Sequence, residues 1–385
     1  MERAQGRTRT RRRLAAKHVR GRPLVRRLGL CGAIALGAAL LPLGPAASAF
    51  AAAPPIGDTG ASIVTAPAGA VAGSISAGGD HSCGIRTDGT VTCWGRNDDG
   101  QASPPPGTFT AVSTGGFHTC GLRPNGTLAC WGNNDDGQAT PPTGTFTAVS
   151  AGERHTCAVK TSRSGPFDVV CWGNDNQGQV SDTPPGIFTA VSAGGFQTCG
   201  LENGAAPCWG ADILGGPPGP ATWRAVSAGA THDCGIRMSG GFTNGAVACW
   251  GENNSGVLTP PAGTFTALSA GLNHSCGIRT NGTLACWGAN GSGQASPPAG
   301  AFTAVSAGGG DPGQSVLAHT CGVKTDGTLA CWGDDFYGQA SPPSGTYTAV
   351  TAGKYHSCAI KTSGGTVCWG DDSRGGQTHV PPGFG

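Results

Sequence analysis

The sequence predicts an all-β chain, a β-propeller of seven or eight four-stranded blades. Three observations carry this expectation. One unit of about forty residues recurs eight times, no stretch beyond residue 72 has the length or period of a helix, and every unit holds two cysteines at nearly constant spacing. A repeat of this length implies a stacked or closed array, whose function sits on loops rather than in a deep cleft.

The chain opens with a segment that does not belong to the repeats. Residues 1–27 carry eleven Lys/Arg, and an apolar run follows from Leu28 to Gly44. Small-residue sites of the A-x-A type come next at Ala47-Ser48-Ala49 and Ala49-Phe50-Ala51. This is the order of a secretory signal peptide, assigned to residues 1–51. The Arg11-Arg12-Arg13 cluster leaves both the twin-arginine and the general secretory route open. The apolar run is short for a membrane span and contains Gly and Pro, so no stable anchor is expected. An Ala/Pro/Gly-rich linker covers 52–72, and the repeats occupy 73–385.

Removing the leader changes the charge. Of 24 basic and 22 acidic residues, the leader takes eleven and one, which leaves 13 against 21, or net −8. A domain of that sign without a basic stripe is not expected to bind nucleic acid. Seventeen cysteines less Cys31 leave sixteen, an even and regularly placed set that reads as disulfides in an exported protein. Gly and Pro number 97, but they recur at fixed positions, as turn residues of a regular fold do.

Each unit offers four short extended segments, which in the second unit are Phe109–Ser113, His118–Arg123, Thr127–Trp131 and Gln138–Thr140. The cysteine spacing sets a register. Between Cys83 and Cys93, a two-residue turn at Asp88-Gly89 would put the sulfurs on opposite faces. A three-residue turn, Thr87-Asp88-Gly89 with a left-handed Gly89, places the two cysteines directly across from each other and within bonding range. The expected bridges are therefore Cys83–Cys93, Cys120–Cys130, Cys157–Cys171, Cys199–Cys208, Cys234–Cys249, Cys276–Cys286, Cys321–Cys331 and Cys358–Cys368. Spacings of 14, 9 and 15 in the third, fourth and fifth units fall at the hairpin tip. Each bridge is worth about 2–3 kcal/mol in the chain-entropy view, which compensates for a core of roughly one Trp and one Phe per unit. Antiparallel units of this size suit propeller blades, with a linear β-solenoid as the alternative.

The pattern HTCGLxxxGxLxCWGxNxxGQ resembles the repeat of the regulator of chromosome condensation. FTAVSAGxxH…CWGDDFYGQASPP is similar to the repeat of the type II β-lactamase inhibitory proteins, a bacterial secreted family. The resemblance spans about residues 73–385 and implies a seven-bladed propeller. This chain departs from it in its cysteine pairs and in having eight copies, which favours eight blades. In the inhibitors, aromatics just before the motif His help to form the binding face; here Phe117, Phe196 and Tyr355 match that position. Asp80, Arg154, Thr231, Asn273 and Ala318 stand there in the other units. The condensation regulator acts in nucleotide exchange on a small GTPase, a cytosolic or nuclear partner that an exported protein does not meet.

In an antiparallel blade, the loop before each HxC motif and the loop after each CWG emerge on one rim. That rim gathers the aspartate-rich loops, including Asp334, Asp335, Phe336 and Tyr337, with Phe117, Phe196 and Tyr355. An insertion over residues 309–317 enlarges one loop there. Aromatic anchors among acids suit a protein or a glycan as partner, while the Asn/Asp-Gly runs also read simply as turn formers. No metal or cofactor is expected. The HxC…C set lacks a fourth zinc ligand, and Gln197 breaks the pattern; the NDDG loops do not match a calcium loop. No nucleophile elbow, phosphate loop or triad stands outside the repeat. The reading is a monomeric, secreted, non-enzymatic module, a scaffold or inhibitor, with a polysaccharide-acting enzyme on the same rim as the rival. Alkylation of the unreduced exported protein is expected to modify no cysteine, and sixteen after reduction, by intact mass. Sixteen free thiols on a chain that retains Met1 would overturn both the bridges and the export.

Overall fold

The computed structural model describes residues 74–161, 168–211, 216–219, 221–238, 245–309 and 317–382. The leader and linker segments, 1–51 and 52–72, lie outside them, as do residues 310–316 of the loop insertion. The chain divides into units Met1–Phe50 and Ala51–Gly385, and the repeats belong to the second. Among the described residues there are twenty-four strands and no helix, in eight antiparallel sheets of three consecutive strands each. Eight repeats therefore make eight blades.

The expected fourth strand is corrected by the structure. Gln138–Thr140 is a turn, because its donors are taken locally. Asn134 Oδ1 accepts the Ala139 amide (2.9 Å) and the Thr140 hydroxyl (3.1 Å), and Gln138 Oε1 accepts the Asp136 amide (2.9 Å). The Thr140 amide goes to Gly137 O (3.0 Å), and Pro141 and Pro142 have no amide to offer a ladder. In blade 2 the three real strands are Ala111–Thr114, His118–Leu122 and Leu128–Gly132.

The hairpin between the second and third strands follows the cysteine arithmetic. Cys83 pairs with Cys93 in register, and the Arg86 amide reaches Thr90 O (2.8 Å) around a turn in which Gly89 has φ of 82°. All eight expected bridges are present, with Cα atoms 4.0 to 4.1 Å apart. The nine-residue spacing keeps the cysteines opposed by using a two-residue turn. Asn203 and Gly204 both take positive φ, and Glu202 and Ala205 exchange two backbone hydrogen bonds. The tips of the 14- and 15-residue versions, 162–167 and 239–244, lie outside the described residues.

Apolar clusters run across the seams between blades. Cys83, Ile85, Val91 and Cys93 of blade 1 pack on Phe109, Val112 and Trp131 of blade 2. Phe109 meets Trp131 edge to face at 6.0 Å. A Cβ on Gly121 would stand 2.5 Å from the Phe109 ring, so glycine there is what admits the ring. The last such cluster joins Trp94 and Ile75 of blade 1 to Cys358 and Cys368 of blade 8, with Val380. Each buried Phe or Trp contributes about 1.5–3 kcal/mol, and each does so only while its neighbour blade is in place.

Polar belts run round the same seams. The Nε2 of each motif His meets the hydroxyl of the following blade: His81–Thr119, His118–Thr156, His155–Thr198, His232–Ser275, His274–Thr320 and His319–Ser357, at 2.7 to 2.8 Å. His356–Ser82 (2.7 Å) joins blade 8 to blade 1. Thr119 Oγ1 in turn donates to Gln101 O, which also accepts Trp131 Nε1 (2.9 Å). A second belt links the serine of one first strand to an amide of the next, from Thr114 N to Ser76 Oγ (3.1 Å) round to Ala77 N to Thr351 Oγ1 (3.3 Å). A third is backbone only and ends with Lys354 N to Gly78 O. The propeller is closed.

Burial holds the seven histidines neutral, with pKa values pushed down to about 3 or about 4 from 6.5. Their Nδ1 atoms face no hydrogen-bond partner among the described residues, so protonation would bury an unpaired charge. Because the folded pKa lies below the unfolded one, this stability is complete above pH 6.5 and drains as pH falls. Each histidine then costs about 1.4 kcal/mol per pH unit. Tryptophan fluorescence is expected to report one steep unfolding transition between pH 6.5 and 4, with the disulfides intact. Native fluorescence retained at pH 4 would contradict a neutral belt.

Candidate functional site

The two loop sets do share a rim, because the chain after each CWG hydrogen-bonds back to the residue before the motif His or its Gln197 equivalent. Arg96 N to Asp80 O (2.8 Å), Asn133 N to Phe117 O (2.9 Å) and Asp371 N to Tyr355 O (2.9 Å) are three of these contacts, one of which each blade makes. They set where the rim side chains stand.

Phe336, at the tip of the blade 7 loop, is 80% exposed. Its ring meets Tyr337 edge-on at 4.9 Å, and Tyr337 meets Tyr355 of blade 8 at 5.7 Å. Tyr355 carries the Arg374 guanidinium over its face at 4.2 Å. Arg374 pairs with Asp371 (3.1 Å) and Asp80 (3.8 Å). Burial works against its charge, but Asp80, a hydrogen bond with Tyr337, Tyr355 and Asp371 raise its pKa above the ordinary arginine value. Asp80 also pairs with Arg96 (3.7 Å), and Arg96 lies 5.8 Å over the Phe117 ring. Lys354 stands over that same ring at 5.3 Å and reaches Glu153 of blade 3 at 3.0 Å.

Four of the expected residues, Phe336, Tyr337, Tyr355 and Phe117, thus belong to one chain of contacts spanning blades 7, 8, 1 and 2. Phe196 in blade 4 makes no ring contact with this group among the described residues. The expectation of an exposed anchor at Tyr355 is corrected: it is 2% exposed, and serves as the platform under Tyr337 and Arg374. Asp334 and Asp335 hold the loop. Asp334 Oδ1 accepts Gln339 Nε2 (2.6 Å), while Asp335 accepts the Ala340 amide (2.7 Å) and the Ser341 hydroxyl (2.6 Å). They present Phe336 to solvent.

The sequence reading missed Arg96, Arg374 and Lys354. Their signal is departure from the repeat: only blade 1 has Arg directly after CWG, and only blade 8 has Arg before Gly-Gly-Gln. Among the described residues, the one group close enough to hold a metal is Cys199, Cys208 and Asp233, and its two sulfurs are bonded to each other. A disulfide sulfur is a poor ligand compared with a thiolate.

A closed, disulfide-stapled propeller with an aromatic and charged rim defines a binding or scaffold module. The regulator of chromosome condensation (RCC1) repeat matches residues 74–101, 109–138, 146–179, 265–294, 317–339 and 347–375. RCC1 repeats thus recur along the chain, and its fold is that of the RCC1-like propellers. The fourth and fifth repeats, which hold Gln197 and Asp233, fall between the matched segments. It is similar to the ectodomain of the Physcomitrella patens receptor kinase CR4, at 27% identity and a TM-score of 0.51, over 77% of this chain and 74% of that one. It also resembles in fold the CRINKLY WD40 ectodomain of the Arabidopsis thaliana receptor kinase ACR4, at 24% identity and 0.50, over 80% and 94%. No curated protein matches the chain.

Proposed function

We propose that this chain is a secreted, non-enzymatic module that recognises an extracellular protein or a surface glycan through the Phe336–Tyr337 corner of its loop rim. The single observation that carries it is Phe336, a large apolar ring left 80% exposed on a loop that hydrogen bonds hold rigid. A rigid aromatic loses little entropy on binding, and the adjacent Tyr337 and Arg374 supply polar reach around it. Eight bridges support an oxidising location. The CR4 structure is an ectodomain, which agrees with a module that works outside the cell. The rim carboxylates of Asp334, Asp335 and Asp371 are engaged by loop amides, side chains or Arg374, which supports binding over hydrolysis.

Immobilised oxidised protein, tested by interferometry against purified polysaccharides and secreted proteins, checks this reading. A retained ligand is expected to lose about 30-fold in affinity, or about 2 kcal/mol, with Phe336→Ala, with an unchanged melting temperature. Binding that survives both Phe336→Ala and Tyr337→Ala, or turnover of a retained polysaccharide, would overturn it.

A further inference from the structure

Seven disulfides in this ring have a hydroxyl from the next blade beside their first sulfur. Thr119, Thr156, Thr198, Ser275, Thr320, Ser357 and Ser82 stand 3.4 to 3.9 Å from Cys83, Cys120, Cys157, Cys234, Cys276, Cys321 and Cys358. The eighth has a carboxyl. At the seam between blades 4 and 5 the motif His is Gln197 and the hydroxyl residue is Asp233, and the two side chains hydrogen-bond at 3.3 Å. A carboxylate oxygen of Asp233 lies within 4.8 Å of both Cys199 and Cys208 sulfurs.

Asp233 is fully buried. In register beside it on its own sheet are Ala228 and Trp250, and the preceding blade contributes Gln197 and the bridge itself. The neighbouring titratable group on its strand, His232, is turned to Ser275 of blade 6. Among the described residues, no charged side chain acts on it. Burial pushes its pKa up to about 7, against the opposing pull of Gln197 and Trp250. Below about pH 7 the carboxyl is therefore mostly protonated, and holds an acidic proton next to a disulfide.

We propose that Cys199–Cys208 is a thiol–disulfide exchange site, in which an incoming thiolate attacks the Cys208 sulfur and Asp233 protonates the departing Cys199. The new bond joins the incoming sulfur to Cys208 as the Cys208–Cys199 bond breaks. The electron pair stays on Cys199, which takes the Asp233 proton and becomes a thiol, leaving Asp233 as carboxylate. The incoming thiol is oxidised to the mixed disulfide, and half of the bridge is reduced. Cys208 is half-buried and Cys199 is fully buried, which sets the direction of attack. Cys130, Cys171, Cys249, Cys286 and Cys331 are half-buried in the same way, so access does not single out this bridge. The carboxyl does. A buried thiolate is a poor leaving group, and a Ser or Thr hydroxyl is too weak an acid to relieve it, whereas a carboxyl is not.

Reduced glutathione is the probe. Oxidised protein is incubated with it from pH 6 to 8.5 and quenched with N-ethylmaleimide at intervals, and peptide mass spectrometry follows each bridge. Rates are compared within one molecule, so the thiolate fraction of glutathione cancels. Below pH 7, Cys199–Cys208 is expected to open about tenfold faster than the median of the other seven, with glutathione on Cys208. The advantage is expected to shrink above pH 7, as Asp233 loses its proton. Asp233→Asn should bring the ratio to within about threefold at every pH. The double variant Q197H/D233T, which restores the pair used at the other seams, should do the same in a fold made of this chain's own parts. Equal opening of all eight bridges in the wild type would overturn the proposal. So would an advantage that is flat with pH, one that survives in either variant, or glutathione found on Cys199.

Discussion

Ring closure is the constraint on which everything else in this molecule depends. No blade can bury its own apolar face: Ile85 and Cys93 need Phe109 and Trp131, and Cys358 needs Trp94 from the other end of the chain. A row of such units would expose one face at each end. The contacts His356–Ser82, Ala77 N–Thr351 Oγ1 and Lys354 N–Gly78 O remove both ends at once. A three-stranded blade suffices because the outer loop satisfies its own donors, while the disulfide locks the hairpin of the second and third strands.

At one of the eight seams both partners of the belt differ from the rest. There Gln197 stands in the place of the histidine and donates to Asp233, which stands in the place of the hydroxyl residue. The exchange reverses the local response to pH. The histidines are stabilised by high pH; Asp233, with its pKa raised from 3.8, favours the folded state more as pH falls below about 7. The same substitution puts the one buried carboxyl of the belt against a bridge, so a structural adjustment creates a chemically distinct sulfur pair.

Much of the fold was legible in the chain. Cysteine spacing and a turn glycine determine the hairpin register, since a side chain's face alternates with every residue and only one turn length puts Cys83 over Cys93. The nine-residue spacing obeys the same rule with a shorter turn. The fourth strand was misread because Gln138–Thr140 has strand-like composition, while its donors are claimed by Asn134, a competition that only the folded loop reveals. At the rim, the sequence placed Phe336, Tyr337, Tyr355 and Phe117 on one face but did not show that Tyr355 is covered by its neighbours.

What the sequence determined by itself is therefore everything that is local or periodic: an all-β chain, eight units, eight bridges, and a rim on which two loop sets meet. What only the tertiary structure decided is what happens between units far apart in sequence. Tyr355 is buried because Tyr337 and Arg374 cover it, Lys354 crosses to Glu153, and the Cys199–Cys208 bridge lies against a carboxyl from the next blade. The reason is geometric. Repeat spacing sets the position of a residue within its blade, but the burial and charge of that residue are set by the neighbouring blade, and closure alone brings the first and last blades together.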